Sequence, residues 1–178
     1  MQPSSSLDQT RLFDAPLCSV HQVSLYEANR LVVAWNHKLG ACNRPFRSDG
    51  FVLEVAGKPV AVAISASIVH GPAGGYETQE CLELARLCAC EPWANRVMLR
   101  LWREVCAPSW PLWQVKAAIS YSHNALHSGD IYRFDGWKKF GDKCGTNGKG
   151  GNWGRRVQGY ANTSLHGYKS GWVYEYAF

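Results

Sequence analysis

Within the fourteen residues from Ile119 to Tyr132 the sequence gathers Ser120, Tyr121, Ser122, His123, His127, Asp130 and Tyr132. Imidazoles take or give a proton near neutral pH, and a tyrosine hydroxyl is a weaker acid that can protonate a strong base. The segment therefore has the parts for proton transfer, or for ligation. Each histidine alone is equally at home on a plain surface. A third histidine closes the run Trp35-Asn36-His37. Near a helix C-terminus it would be favoured as a cation by the helix dipole, a structural reason for its presence. If they converge, His37, His123 and His127 are also candidate metal ligands. A second locus is Leu87-Cys88-Ala89-Cys90-Glu91-Pro92-Trp93-Ala94-Asn95-Arg96, a strand-like run entering a helix. The free amides of a helix's first turn suit a phosphate, so Cys88, Asn95 and Arg96 are candidate cofactor contacts. No glycine eases a close approach there and Pro92 lacks an amide, so a plain turn is the competing reading.

The elements that must position these residues follow from periodicity. Ser24-Leu25-Tyr26-Glu27 has the capping-box pattern, and Leu25, Ala28, Leu31, Val32 and Trp35 recur at helical spacing, which predicts a helix from Ser24 to about His37. Gly40, Asn43, Pro45 and Asp49-Gly50 mark a loop. Residues 51–55 and 59–66 read as a hairpin joined at Ala56-Gly57-Lys58, and residues 80–90 as a third strand. A helix begins at Pro92, with Val97, Met98, Leu101, Trp102 and Val105 as its inward stripe, and ends before Pro108. Residues 114–121 predict a strand, 124–134 a short helix or turn, and 137–140 and 171–178 the last two strands. The expected fold is a single α/β domain with one central mixed sheet flanked by helices. Residues 1–23 read as a lead-in and 24–178 as the domain.

The chain has 178 residues, 46% hydrophobic and 19% charged, enough to bury a core. No apolar run approaches the roughly 20 residues of a membrane span, and the first ten residues lack a secretory pattern. Seven cysteines without a CxxC pair read as reduced thiols in a cytoplasm, not a disulfide frame. The segment 137–178 holds Lys138, Lys139, Lys143, Lys149, Arg155, Arg156 and Lys169 against Asp142 and Glu175, and so carries the whole net charge of +5. A basic, Gly-rich and aromatic-rich stretch suits a polyanion such as DNA, with Lys138, Lys149, Arg155 and Arg156 as phosphate contacts. A solvated basic face is the plainer reading.

The order of elements, with Ile131-Tyr132-Arg133-Phe134-Asp135-Gly136-Trp137 leading into the next strand, resembles the GCN5-related N-acetyltransferase (GNAT) fold. Four blocks are similar to the Mom family of phage DNA-adenine modification proteins: residues 33–37, 80–87, 119–123 and 127–132. The resemblance covers about two thirds of the chain, from about Ser24 to Gly141. Where that family has Trp-His-Tyr this chain has Trp35-Asn36-His37, and His123 stands at its strand-end aspartate. The resemblance implies an acyltransferase with acetyl-CoA or another acyl donor. Arg86, Tyr132, His37 and His123 would be its catalytic positions, with Tyr132 also beside the donor's sulfur. A nucleobase amine of DNA would be the acceptor. Reaching a paired base requires flipping it onto aromatic rings, for which Trp35 and Trp153 are the expected platforms. An acetyl-CoA-dependent enzyme acting on a small amine or a protein is the alternative. A non-catalytic GNAT-shaped nucleic-acid-binding module is the third. All three expect a wedge between two splayed strands, with Arg86 and Tyr132 facing into it.

Overall fold

The computed structural model describes residues 17–44, 47–69, 71–144 and 169–177. Seven strands form one mixed sheet, β1 Cys18–Val23, β2 Ser48–Val55, β3 Lys58–Ala66, β4 Cys81–Ala89, β5 Ala117–His123, β6 Lys138–Cys144 and β7 Lys169–Glu175. Their spatial order is β1-β2-β3-β4-β5-β7-β6, and every neighbouring pair is antiparallel except β4 and β5. The helices are α1 Leu25–Ala34, α2 Pro92–Leu101 and α3 Asp130–Phe134, with a π-helical turn at Trp102–Cys106 extending α2. No helix of the described residues is long and apolar enough to cross a membrane.

The local reasons are those of the sequence. Ser24 and Glu27 close a reciprocal capping box at the start of α1. The β2–β3 hairpin turns through Ala56 and Gly57, both at positive φ (49° and 72°), the requirement of a type I′ turn. Strands β4 and β5 are parallel, so the chain must cross over between them, and α2 with its π-turn makes that crossing.

Two regions depart from expectation. Residues 18–23, assigned to the lead-in, form edge strand β1 along β2. The inward stripe of α2 is Ala94, Met98, Leu99, Trp102 and Cys106, while Val97 and Val105 are exposed. The π-turn widens the helix after Leu101 and carries Cys106, not Val105, toward the sheet.

The sheet is covered on both sides. One face packs Leu53, Ala61, Ala63, Leu82 and Leu84 against α2, the π-turn and the rings of Tyr132, Trp137 and Trp172. Trp102 lies fully buried at its centre and donates from Nε1 to Ser65 Oγ at 2.8 Å. The opposite face packs Val52, Val62, Ile64 and Cys88 against α1, and farther along Cys81, Ala117, Ile119 and Val173 against the loop bearing Ile68 and Ala73.

Candidate functional site

The site is built where two strands part. Residues 81–84 of β4 pair with residues 117–120 of β5, the last pair being Leu84 with Ser120. Beyond it β4 runs on to Ala89 against β3, and β5 runs on to His123 against β7. Ala85 is the cause that can be read from the ladder. Ser65 pairs with Leu84 and Ile64 with Arg86, which leaves Ala85 as an extra residue on β4. Such a bulge bends its strand and increases the local twist, turning β4 away from β5. The result is a fork whose inner edges carry backbone groups with no ladder partner across the gap.

On the α2 face, hydroxyls stand at the crotch of the fork. Ser120 Oγ lies 3.2 Å from the Leu84 carbonyl and 2.8 Å from Tyr132 Oη. The carbonyl can only accept, so the arrangement that uses both protons has Ser120 donating to it and Tyr132 donating to Ser120. Burial raises the Tyr132 hydroxyl above its ordinary pKa, so it keeps its proton. Its ring stacks on Trp172 at 5.7 Å and meets Trp137 edge-on at 5.3 Å. Trp172 in turn donates from Nε1 to Ser122. Gly129, at φ 80°, starts α3, and a Cβ there would come within 2.3 Å of the Trp172 ring. Glycine is what lets α3 seat its tyrosine on that indole.

On the α1 face, the fork is lined with charge. Asn36 adopts φ 53° after α1, and the amides of Asn36 and His37 bond back to Val33 and Val32, a Schellman ending. This swings His37 over the fork. Its Nδ1 accepts from the Leu39 amide at 3.2 Å and the ring bonds to the Leu87 backbone, the arrangement of a neutral imidazole. Burial, together with the charges of Arg86 and His127, pushes its pKa down to about 4. Arg86 holds the same loop, donating from Nε to the Gly40 carbonyl at 2.9 Å and from a terminal nitrogen to Ala41 at 3.2 Å. Glu83 is gripped at both oxygens by Arg44 at 2.9 Å. Burial pushes its carboxyl upward, while Arg44, Arg86 and Lys169 oppose that. Lys169, the register partner of His123, is lowered by burial and by Arg86.

His37, Arg86 and His127 come close to one another beside the fork, and His123 stands at the end of β5 opposite Lys169. It does not bring Arg86 and Tyr132 onto one face. Tyr132 belongs to the α2 side and Arg86 reaches into the loop after α1, because the bulge at Ala85 resets which side of β4 Arg86 occupies. The expected cofactor set is split likewise. Cys88 is buried beneath α1, whereas Asn95 and Arg96 lie on α2 across the sheet. Arg96 borders a shallow hollow of roughly 200 Å³ between α2 and α3, not the fork itself. Trp35 packs against the α1 cluster and is no free platform. Lys138 is exposed and paired with Glu175. Lys149, Trp153, Arg155 and Arg156 lie outside the described residues. No group of three His, Cys, Asp or Glu among the described residues could hold a metal, which corrects the histidine-ligand expectation. All seven cysteines are free. Sequence reasoning missed Glu83, Arg44 and Lys169. No local spacing marks them; only strand pairing sets Lys169 beside His123 and brings Glu83 near Arg44, Arg86 and Lys169.

No protein-family model matches the chain, and comparison with curated proteins finds no match. Solved structures do match. The N-acetyltransferase PseH of Campylobacter jejuni is 10% identical, with 91% of this chain and 100% of that one covered at a TM-score of 0.54. An IAA acetyltransferase from Bacillus cereus is 9% identical over 89% and 99%, with a TM-score of 0.57. A ribosomal-protein-alanine N-acetyltransferase from Brucella melitensis is 12% identical over 89% and 99%, with a TM-score of 0.55. The fold is that of the GNAT N-acetyltransferases, as the sequence resemblance implied.

Proposed function

We propose that this protein is an acyltransferase that carries an acyl group from a thioester, acetyl-CoA or another acyl-CoA, to an amine, and that the amine belongs to a nucleobase in DNA. The observation that carries the transferase reading is the fork between β4 and β5 with the Tyr132 hydroxyl at its base. Two features support the donor at this opening: strand edges beyond Leu84 and Ser120 offer backbone amides toward the gap, and the Tyr132 hydroxyl stands at its base. Exposed Arg96 borders the separate hollow between α2 and α3, where its charge would meet the phosphate end of a long donor. The α2 amides fit less well, since Pro92 has none and that of Ala94 is bonded to Glu91.

When bound, the thioester supplies an activated acyl carbon. Amide donors on the strand edges stabilise the negative charge that develops on its oxygen. Tyr132 holds a proton at Oη where a departing thiolate needs one. In balance, a C–N bond forms as the C–S bond breaks, the nitrogen loses one proton and the sulfur gains one. His37, neutral near physiological pH and with both ring nitrogens held by the Leu39 and Leu87 backbone, lines the α1 side, from which the amine would approach, as a polar wall. A nucleobase amine is a poor nucleophile, so much of the rate must come from positioning.

The DNA acceptor is supported by the Mom-like blocks and by the basic segment 137–178. The second reading, a small amine or a protein N-terminus as acceptor, is favoured by the similar structures, whose names include a spermidine N-acetyltransferase and a ribosomal-protein-alanine N-acetyltransferase. Mass spectrometry of nucleosides from DNA of cells making the protein separates them. A nucleoside of shifted mass that disappears with Tyr132→Phe supports the first. Unaltered nucleosides, with CoA released on a polyamine or peptide, would replace it by the second.

A further inference from the structure

The α1 face of the fork holds more positive charge than it neutralises. Arg44, Arg86 and Lys169 face a single carboxylate, Glu83, and Arg44 occupies both of its oxygens. Arg86 spends Nε and its terminal nitrogens largely on the carbonyls of Gly40, Ala41 and Ala85, so it contributes a fixed charge more than free donors. Lys169 is different. Its ammonium is half-buried and makes no hydrogen bond or ion pair among the described residues. It stands beside His123 in register, with Arg86 across the gap. A half-buried lysine without a hydrogen bond or ion pair to the described residues, next to a guanidinium, is an arrangement that would favour an anion.

We propose that Lys169 and Arg86 form a phosphate seat on the α1 face of the fork, holding a phosphate of the acceptor while its amine reaches the acyl carbon. This rests on the acyltransferase reading and narrows it to acceptors that carry a phosphate beside the amine. The lowered proton affinity of Lys169, caused by burial and by Arg86, agrees with an ammonium awaiting a counter-charge.

Binding of deoxyadenosine, its 5′-monophosphate and a short single-stranded DNA, measured by calorimetry at low salt, tests the seat. The monophosphate or the DNA should bind more tightly than the nucleoside, and Lys169→Gln should remove about tenfold of that affinity. Lys169→Arg should retain most of it. Without ligand, Lys169→Gln should melt no lower than the wild type, which separates lost binding from lost folding. A Lys169→Gln effect on DNA alone places the phosphate in nucleic acid, and an effect on the monophosphate places it on a free nucleotide. Both support the seat. Equal affinity of wild type and Lys169→Gln for every phosphate probe overturns it, as does equal binding of nucleoside and nucleotide. Release of CoA from acetyl-CoA, followed on the same preparations, keeps the two ideas apart. CoA release without a Lys169 effect sinks the seat alone, and a Lys169 effect without any CoA release sinks the transferase alone.

Discussion

The two faces of the sheet at the fork solve opposite problems. Toward α2 the fork is walled by rings, with Tyr132 stacked on Trp172 and edge-on to Trp137, and each polar tip satisfied by a serine hydroxyl or a carboxylate. Toward α1 it is walled by Arg44, Arg86, Lys169, Glu83 and His37, held by loop carbonyls and one bidentate pair. A close-packed aromatic wall fixes a hydroxyl because its rings leave it no other position. A charged wall keeps its geometry only while its ions stay paired, and so responds to pH, salt and ligand. On the proposed reading, that division would give proton placement to one side and recognition of a charged molecule to the other.

Substitutions can break this contrast, and Trp102→Ala should do so most severely. It empties the centre of the aromatic side and orphans the Ser65 hydroxyl, costing about 3–5 kcal/mol in a denaturant titration. A loss under about 1 kcal/mol would mean that this wall is not close-packed. On the charged side, Arg44→Met should cost about 3 kcal/mol by leaving Glu83 buried without its partner, and adding Glu83→Leu should recover most of the loss. Without that recovery, the pair matters for some reason other than charge.

His37 gives the charged wall a pH signature. Its folded pKa, about 4, is below the ordinary 6.5, so the unfolded chain binds more protons between those values. Stability is therefore full above about pH 6.5 and falls as pH drops toward 4, by up to about 2–3 kcal/mol from this group. His37→Gln should flatten that part of the pH profile, and an unchanged slope would show that the imbalance lies elsewhere. The smallest stability change belongs to Tyr132→Phe, about 1 kcal/mol from one buried hydrogen bond. Its effect on turnover should be far larger, about 10²-fold with little change in KM, because the variant keeps the ring and loses only the acid. Equal turnover would remove Tyr132 from the chemistry.

The capping box at Ser24 and Glu27, the hairpin at Ala56-Gly57 and the helix at Pro92 were legible because each depends on neighbouring residues alone. Strand β1 was not, since as an edge strand it buries little and Cys18-Ser19-Val20-His21-Gln22-Val23 shows no strong alternation. The π-turn hid the true inward stripe of α2 because its extra residue breaks the 3.6 period on which the stripe was read. His37, Arg86, His123 and Tyr132 were all named from sequence, yet their division between two faces depends on the bulge at Ala85. That bulge is a property of pairing with β3 and has no local signature. Lys169 was visible only as one more charge in a basic tail, because its burial comes from strand order β5-β7.

Entry of a thioester into the fork is the central requirement of the proposed reaction, and titration of acetyl-CoA into the full chain by calorimetry measures it directly. The prediction is saturable binding of one acetyl-CoA per chain, competed by CoA, and weakened when Ser120→Phe fills the crotch while the fold, followed by circular dichroism, is retained. Absence of binding at millimolar acetyl-CoA, or binding indifferent to Ser120→Phe in a folded variant, would contradict it.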